Sequence, residues 1–235
     1  MNILAVTSPA QLGIKMISIA PSNFVFQGVQ GVRCNGFKLA ETPFTNGQFA
    51  VLVSLHPAEL TKVISNPKYL LERSWQAAAI PEEAINSPLV FVNHTEASGI
   101  AALLGCRLPT ELEWERAAAG LNGRVYPWGN EWDRAKAVFN DKGTRAVGRL
   151  RAGMSEDGFC DLAGNVWEWT SSLYGEIDLK DPQNPILSQS GNNMVLRGGS
   201  WCNRNPDYLR GAYRFNLHPE GRSHGIGFRL AEDLK

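Results

Sequence analysis

The sequence has no excess of either charge, no long apolar run and few cysteines, and each shortage argues against a class of protein. Lys and Arg together number 23, as do Asp and Glu, so bulk charge gives no reason to expect a nucleic-acid partner. No window approaches the roughly 20 apolar residues of a membrane span, and the first residues lack the basic and apolar regions of a signal peptide. We therefore predict a soluble protein without a membrane span, and the sequence does not indicate its location.

The cysteines also exclude familiar sites. Cys34, Cys106, Cys160 and Cys202 are far apart and form no C-x-x-C pair, which argues against a zinc ribbon and a thioredoxin-type centre. Because free cysteine is among the most often buried residue types, we expect isolated buried thiols. The sequence also has no P-loop, G-x-S-x-G or G-x-G-x-x-G motif.

Capping patterns predict two helices in a chain with enough apolar residues to bury a core. A T-x-x-Q pattern joins Thr45 to Gln48, a spacing in which each side chain satisfies a backbone N–H, and the helix should end before a proline. The same pattern joins Thr110 to Glu113, and Gly120 should end that helix.

Other elements follow from punctuation by proline, glycine and asparagine. The segments MISIA and NFVFQGV within residues 1–40 are predicted strands. Thr95 is a candidate N-cap of a helix that ends near Gly105. Short helices are predicted around Leu60 to Ile64 and around Tyr69 to Ala79.

Beyond Gly120 the sequence becomes rich in glycine, asparagine and tryptophan, which predicts coil and short strands. In an extended VWEWT segment, Trp167 and Trp169 would share one face. Ile226 and Phe228 would likewise share a face of IGFRL with Leu230. Both segments are predicted half-buried strands.

Several segments in this order resemble the formylglycine-generating enzymes, also called the sulfatase-modifying-factor domain. The matching blocks are TPFTNGQF, CRLPTELEWERAAAG, YPWGN, DLAGNVWEWTSSLY and the C-terminal pair LRGGSW and IGFRL, from about Glu41 to Leu230. The resemblance implies an α+β, C-type-lectin-like fold in one domain over residues 1–235, with short strands, few helices and much structured loop. It also implies packing roles for five tryptophans. They are Trp114, Trp128, Trp167, Trp169 and Trp201.

The resemblance does not carry over the catalytic centre of the family. Catalytic members bind copper with two cysteines separated by four residues after the GGS motif, and soft thiolates suit Cu(I). Here Asp207 stands five residues after Cys202, where the second cysteine would be, and no other cysteine follows Cys202. We therefore predict no catalytic residue, no metal ligand, no cofactor and no enzymatic activity. A formylglycine-generating oxidase acting on sulfatase cysteine, and a fixed accessory module, remain the alternatives.

Other polar groups give weaker indications. Glu111 and Glu115 share a helix face at i,i+4, and a charged, solvent-facing helix surface is the expected reason. His218 and His224 are expected to be exposed loop residues. The loop from Asn130 to Asp141 has enough oxygen donors for a structural calcium ion.

The segment 198–230 alternates fixed-looking blocks with scattered positions of unusual composition. Every residue type at those positions can be reached from an asparagine codon, AAC or AAT, by changing adenines only. Lys, Glu, Gln, Met and Trp, which make up roughly a fifth to a quarter of ordinary composition, are absent there. The positions are Cys202, Asn203, Arg204, Asp207, Tyr208, Gly211, Tyr213, Phe215, Asn216, Leu217, His218, Gly221, Ser223, His224 and Gly225.

This composition resembles the variable proteins of diversity-generating retroelements, which use the same domain and vary through adenine-directed mutagenesis. The resemblance implies that 198–230 is a C-terminal variable region and that its scattered positions bind varied partners, as an antibody loop does. Asn205 would belong to the fixed frame. The expected partner is a protein or other macromolecule on a cell or virus surface, and the chain would be phage-encoded or prokaryotic.

Overall fold

The computed structural model describes residues 7–64, Leu70 and 80–234, which form short strands, few helices and much loop. The strands are β1 (Met16–Ile19), β2 (Ser22–Phe26), β3 (Val29–Cys34), β4 (Phe37–Ala40), β5 (Trp167–Leu173), β6 (Met194–Arg197), β7 (Phe215–Leu217), β8 (Ile226–Gly227) and β9 (Ala231–Asp233). The α-helices are α1 (Asn46–Leu55), α2 (Pro57–Leu60), α3 (His94–Leu103) and α4 (Glu111–Ala119). The 3-10 helices are Pro9–Leu12, Glu82–Ala84, Arg134–Lys136, Arg151–Gly153 and Pro206–Leu209. The predicted α+β class is confirmed.

The strands form three sheets. One sheet has the order β1-β4-β9, a second is the β2-β3 hairpin, and the third has the order β7-β6-β5-β8. In the third sheet, β5 pairs antiparallel with β6 and parallel with β8. Strands β7, β8 and β9, which lie within residues 215–233, therefore form edges of two sheets whose other strands come from earlier in the chain.

Capping explains where the helices begin. The two predicted capping boxes are present, with Thr45 accepting from Gln48 N and Thr110 accepting from Glu113 N. The prediction of Thr95 as an N-cap is wrong. Asn93 caps α3 instead, because its Oδ1 accepts from Glu96 N at 2.8 Å.

The short helices between α1 and α3 are only partly described. The predicted helix around Leu60 to Ile64 lies earlier, because Pro57, which fits the first turn of a helix, starts α2. Most of the predicted helix from Tyr69 to Ala79 lies outside the described residues. Gly105 adopts φ = 70° just after α3, as expected of a glycine that ends a helix.

Strand β5 separates two apolar clusters of the core. Trp167 and Trp169 pack in one cluster with Phe228, whereas Trp114 of α4 lies in the other. The predicted common face of Trp167 and Trp169 is confirmed, and so is the burial of the IGFRL segment with the same cluster. Regular pairing of that segment is limited to β8, so it is a shorter strand than predicted.

None of the helices in the described parts of the chain is long and apolar enough to cross a membrane.

Candidate binding surface

The segment 198–230 leaves the sheet at β6 and returns to both of its edges. After the 3-10 helix Pro206–Leu209 it pairs with β6 as β7, with Phe215 opposite Leu196. It then crosses to the opposite edge and pairs with β5 as β8. A backbone hydrogen bond from Trp167 N to Gly225 O, 2.8 Å long, ties the second loop to the sheet.

The scattered positions lie mostly at the surface. All are exposed or half-buried except Gly211 and Gly225, which are buried. A Cβ atom at Gly211 would stand 3.3 Å from Ala119 Cβ, and one at Gly225 would stand 3.1 Å from Ser200 Oγ. The expectation of surface positions is therefore wrong for these two glycines, which allow close packing and offer no side chain to a partner.

Aromatic side chains form the centre of this surface. The rings of Tyr208 and Tyr213 are 5.0 Å apart, and Trp167 lies beneath them at 6.3 and 6.1 Å. Phe215 packs on Trp167 with ring centroids 5.1 Å apart while 41% of its area stays exposed. We call Trp167, Tyr208, Tyr213 and Phe215 the central aromatic cluster.

Several polar side chains of the scattered set are exposed to solvent. They are Arg204, Asp207, His218 and Ser223, and Asp207 forms an ion pair of 3.6 Å with Arg210, which lies outside the set. Exposed polar side chains of this kind offer adaptable hydrogen bonds to a partner.

Two asparagines of the segment hold its backbone. Asn203 Oδ1 accepts from Ser200 N at 2.7 Å, and Asn205 Oδ1 accepts from Asp207 N at 3.0 Å at the start of the 3-10 helix. The predicted assignment of Asn205 to the fixed frame agrees with this contact. Asn203, predicted as a binding position, also has a structural contact.

Two arginines, one fully buried and one partly buried, hold the segment against helix α4. Arg197 is fully buried, its Nη2 contacts the Glu115 carboxylate, and the same nitrogen donates to Gly211 O at 2.7 Å. Arg214 donates from Nε and Nη2 to the two oxygens of Glu111 at 2.6 and 3.0 Å. The Arg214–Glu111 pair is bidentate and therefore rigid, and together with the Arg197–Glu115 pair it holds the stretch between β6 and β7 against α4.

The loop that follows β7 is held in the same way. Arg222 contacts both oxygens of Glu96 in α3, with Nη2 to Oε1 at 2.9 Å. Asn93 donates to Glu220 at 3.0 Å, and the indole of Trp201 donates to His224 O at 3.0 Å. These anchors lie outside the scattered positions, apart from the accepting carbonyl of His224.

Arg229 forms the most deeply buried of these pairs. Its Nε and Nη2 each lie 2.7 Å from an oxygen of Glu168, and both side chains are fully buried. The remaining donors reach the backbone oxygens of Ala40 and Cys160 at 3.0 and 2.8 Å. Trp114 Nε1 also donates to Glu168 at 2.8 Å, so the network is well satisfied.

The expected exposed carboxylate face of α4 is wrong. Glu111 and Glu115 are 0% and 1% exposed, and each accepts hydrogen bonds from an arginine of the C-terminal part of the chain. Their i,i+4 spacing reflects two adjacent buried ion pairs. Glu113 has its predicted capping contact and also accepts from Arg107.

All four cysteines are free, but their surroundings differ. Burial, followed by the charges of Glu113 and Glu232 respectively, raises the pKa of Cys34 and of Cys106 to about 12. Burial also raises the pKa of Cys160. Because the thiolate is the reactive form of cysteine, these three thiols are less reactive than a solvent-exposed cysteine. Cys202 is exposed, which corrects the expectation of a buried thiol.

Two carboxylates of the loop expected to bind calcium are engaged in other contacts. Asp141 accepts two hydrogen bonds from Arg145, and Asp133 caps the turn that begins at Arg134. Within 7–64 and 80–234, no three His, Cys, Asp or Glu side chains are grouped for a metal ion. His218 is exposed as predicted, whereas His224 is half-buried.

Sequence reasoning missed one contributor to this surface. Phe91 has φ = 63°, unusual for a bulky residue, and its ring lies 4.9 Å from that of His224. Nothing in the sequence signals this conformation. The packing roles expected of the tryptophans are confirmed for Trp114, Trp167 and Trp169, while Trp128 and Trp201 remain half-exposed.

The chain is similar in sequence to one protein family and to several known proteins. Residues 4–234 match the family model described as the sulfatase-modifying factor enzyme 1-like domain. The serine/threonine-protein kinase Pkn1 of Chlamydia trachomatis is 34% identical over 88% of this chain and 35% of its own length. The formylglycine-generating enzyme of Streptomyces coelicolor is 36% identical over 63% of this chain and 53% of its own length. The chain thus spans only part of these relatives.

Solved structures share the fold at low sequence identity. Treponema denticola variable protein 1 has a TM-score of 0.72 at 23% identity, covering 94% of this chain and 95% of that one. The Major Tropism Determinant I1 variant has a TM-score of 0.52 at 15% identity, covering 94% of this chain and 55% of that one. The C-type-lectin-like fold expected from the sequence is confirmed.

Proposed function

The chain belongs to the sulfatase-modifying factor enzyme 1-like domain family, and from that premise we propose that it is a non-enzymatic binding protein whose C-terminal surface recognises macromolecular partners. The observation that carries the proposal is the separation of roles within 198–230. Arg197, Arg214 and Arg229, which lie outside the scattered positions, form ion pairs with buried glutamates and anchor the backbone, while most scattered side chains lie at the surface. A scaffold of this kind presents different side chains without losing its fold.

We further propose that the surface is diversified by a retroelement. The names of two structural neighbours, a variable protein and a tropism determinant, agree with a role in recognising varied partners. The partner is then a macromolecule on a cell or virus surface, and the whole binding unit is the single domain expected from the sequence.

The locus of the gene tests diversification. We expect a near-copy of the codons for Gly198 to Leu230 close to the gene, differing almost only at adenines, with a reverse transcriptase gene beside it. The test is to sequence the complete genome around the gene. A finished genome without such a copy contradicts diversification and leaves the binding proposal to be judged separately.

Substitution of Phe215 tests the binding surface. Phe215→Ala should weaken partner binding by about tenfold or more, because a half-exposed aromatic at the centre of an interface is a typical hot spot. The melting temperature should change by no more than about 3 °C, since much of the ring is already exposed. Binding is measured by biolayer interferometry and stability by circular dichroism.

The control for Phe215 is Ile186→Ala, which removes an exposed apolar side chain outside the C-terminal segment. This variant should leave both quantities unchanged. A large loss of stability in Phe215→Ala would mean that the ring serves the core. Oxidation of a cysteine-containing peptide by molecular oxygen in the presence of the purified protein and Cu(I), lost in Cys202→Ala, would instead favour the enzymatic alternative.

A further inference from the structure

Tyr208 connects the central aromatic cluster to a second group of aromatic residues. On one side its ring contacts Trp167 and Tyr213. On the other side it packs against a cluster that contains Tyr126 and Phe139. The central cluster is therefore not isolated, and its aromatic surface continues beyond the segment 198–230.

The second group lies in the loop that follows α4. Trp128 stacks on Tyr126 with ring centroids 5.2 Å apart and planes 6° apart, and Trp132 contacts the two rings at 5.9 and 5.3 Å. Tyr126 is buried, whereas Trp128 and Trp132 are half-exposed. We call Tyr126, Trp128 and Trp132 the constant aromatic strip.

Three observations argue that the strip does not vary with the scattered positions. It lies outside 198–230, and tryptophan cannot be reached from AAC or AAT by changing adenines. Its geometry is also fixed locally, because Trp128 Nε1 donates to Glu131 O at 2.9 Å and Tyr126 and Gly129 exchange backbone hydrogen bonds of 2.8 and 3.0 Å.

Asp207, one of the polar scattered positions, lies next to the strip. Burial and then the charge of Asp207 raise the pKa of Tyr126, which agrees with a position of this carboxylate near the ring. Asp207 forms its exposed ion pair with Arg210 at this place. The central cluster, the strip and this pair thus form an apolar centre with a charged border, as in protein–protein interfaces.

We propose that the constant aromatic strip is the invariant half of the partner-binding surface and that the partner is a protein that buries apolar side chains across both halves. The inference rests on the proposed binding function. Trp, Tyr and Arg dominate the energetics of protein interfaces, so the strip supplies affinity to every variant while the scattered positions select the partner.

The test uses the full chain and displayed random linear peptides as the probe. Peptides are selected separately on the wild-type protein and on Tyr213→Ala, whose variable surface is altered. The dissociation constants of the enriched synthetic peptides are then measured on Trp128→Ala, Glu131→Arg and Phe215→Ala, with Ile186→Ala as the control. Glu131 is exposed, so Glu131→Arg places a long charged side chain beside Trp128 without removing core volume.

We expect Trp128→Ala and Glu131→Arg to weaken peptides from both selections by about tenfold, and Ile186→Ala to change binding by less than about twofold. If peptide binding is unchanged in Trp128→Ala and Glu131→Arg but is lost in Phe215→Ala, the proposed binding role of the constant aromatic strip is wrong and the proposed function still holds. Unchanged binding to Phe215→Ala as well contradicts the proposed surface itself. Recognition of glycans on an array, with no peptide enriched, overturns the protein partner.

Discussion

Replacement of Arg229 by methionine is expected to lower the free energy of unfolding by about 3–5 kcal/mol. The variant leaves the fully buried Glu168 carboxylate with Trp114 as its remaining side-chain donor. It also removes donors to the backbone oxygens of Ala40 and Cys160. Urea unfolding followed by circular dichroism measures the loss.

Two variants make this measurement specific. Arg145→Met breaks an ion pair with Asp141 in which the arginine side chain is 47% exposed, and it should lower the free energy of unfolding far less than Arg229→Met. Adding Glu168→Gln to Arg229→Met should recover part of the loss, because the neutral amide is cheaper to bury. A loss below about 1 kcal/mol for Arg229→Met would mean that water reaches Glu168 and that the pair does little to fix the fold.

Trp167→Ala is expected to lower the free energy of unfolding by about 3–5 kcal/mol and to abolish partner binding at the same time. Trp167 is 7% exposed and packs in the core on one side, while Tyr208, Tyr213 and Phe215 rest on it. Its removal therefore takes away both core volume and the floor of the central aromatic cluster.

Phe215→Ala and Ile186→Ala separate the two consequences for Trp167. Phe215→Ala should reduce binding with little loss of stability, and Ile186→Ala, at a 55% exposed side chain outside the cluster, should change neither. Chemical denaturation and interferometry are run on the same samples below the melting temperature. Full partner binding by a folded Trp167→Ala protein would show that the cluster is not the centre of the surface.

The helix starts and the tryptophan faces could be predicted because they depend on neighbours in the sequence. Thr45 with Gln48 and Thr110 with Glu113 are three residues apart, and Trp167 and Trp169 are two apart. Asn93 was missed because Thr95, an equally suitable residue type, lies two positions later.

The anchoring of the candidate surface could not be predicted because its partners are distant. Glu115 meets Arg197 across 82 residues and Glu111 meets Arg214 across 103, so the helix face alone resembled an ordinary solvated one. The scattered positions were mostly placed correctly at the surface. Gly211 and Gly225 were not, because a glycine produced by chance and a glycine required by packing look the same in a sequence.

The pairing of β9 with β4 has a consequence for biosynthesis. Arg229 and the strand that follows it join residues near the start of the chain, through Leu39 opposite Ala231 and through Ala40 N to Leu230 O at 2.8 Å. A chain released by the ribosome before residue 228 lacks Phe228, Arg229 and β9, and it therefore lacks the buried pair with Glu168 and the third strand of the first sheet. Folding of the core therefore cannot be completed until the segment 198–230 has been translated.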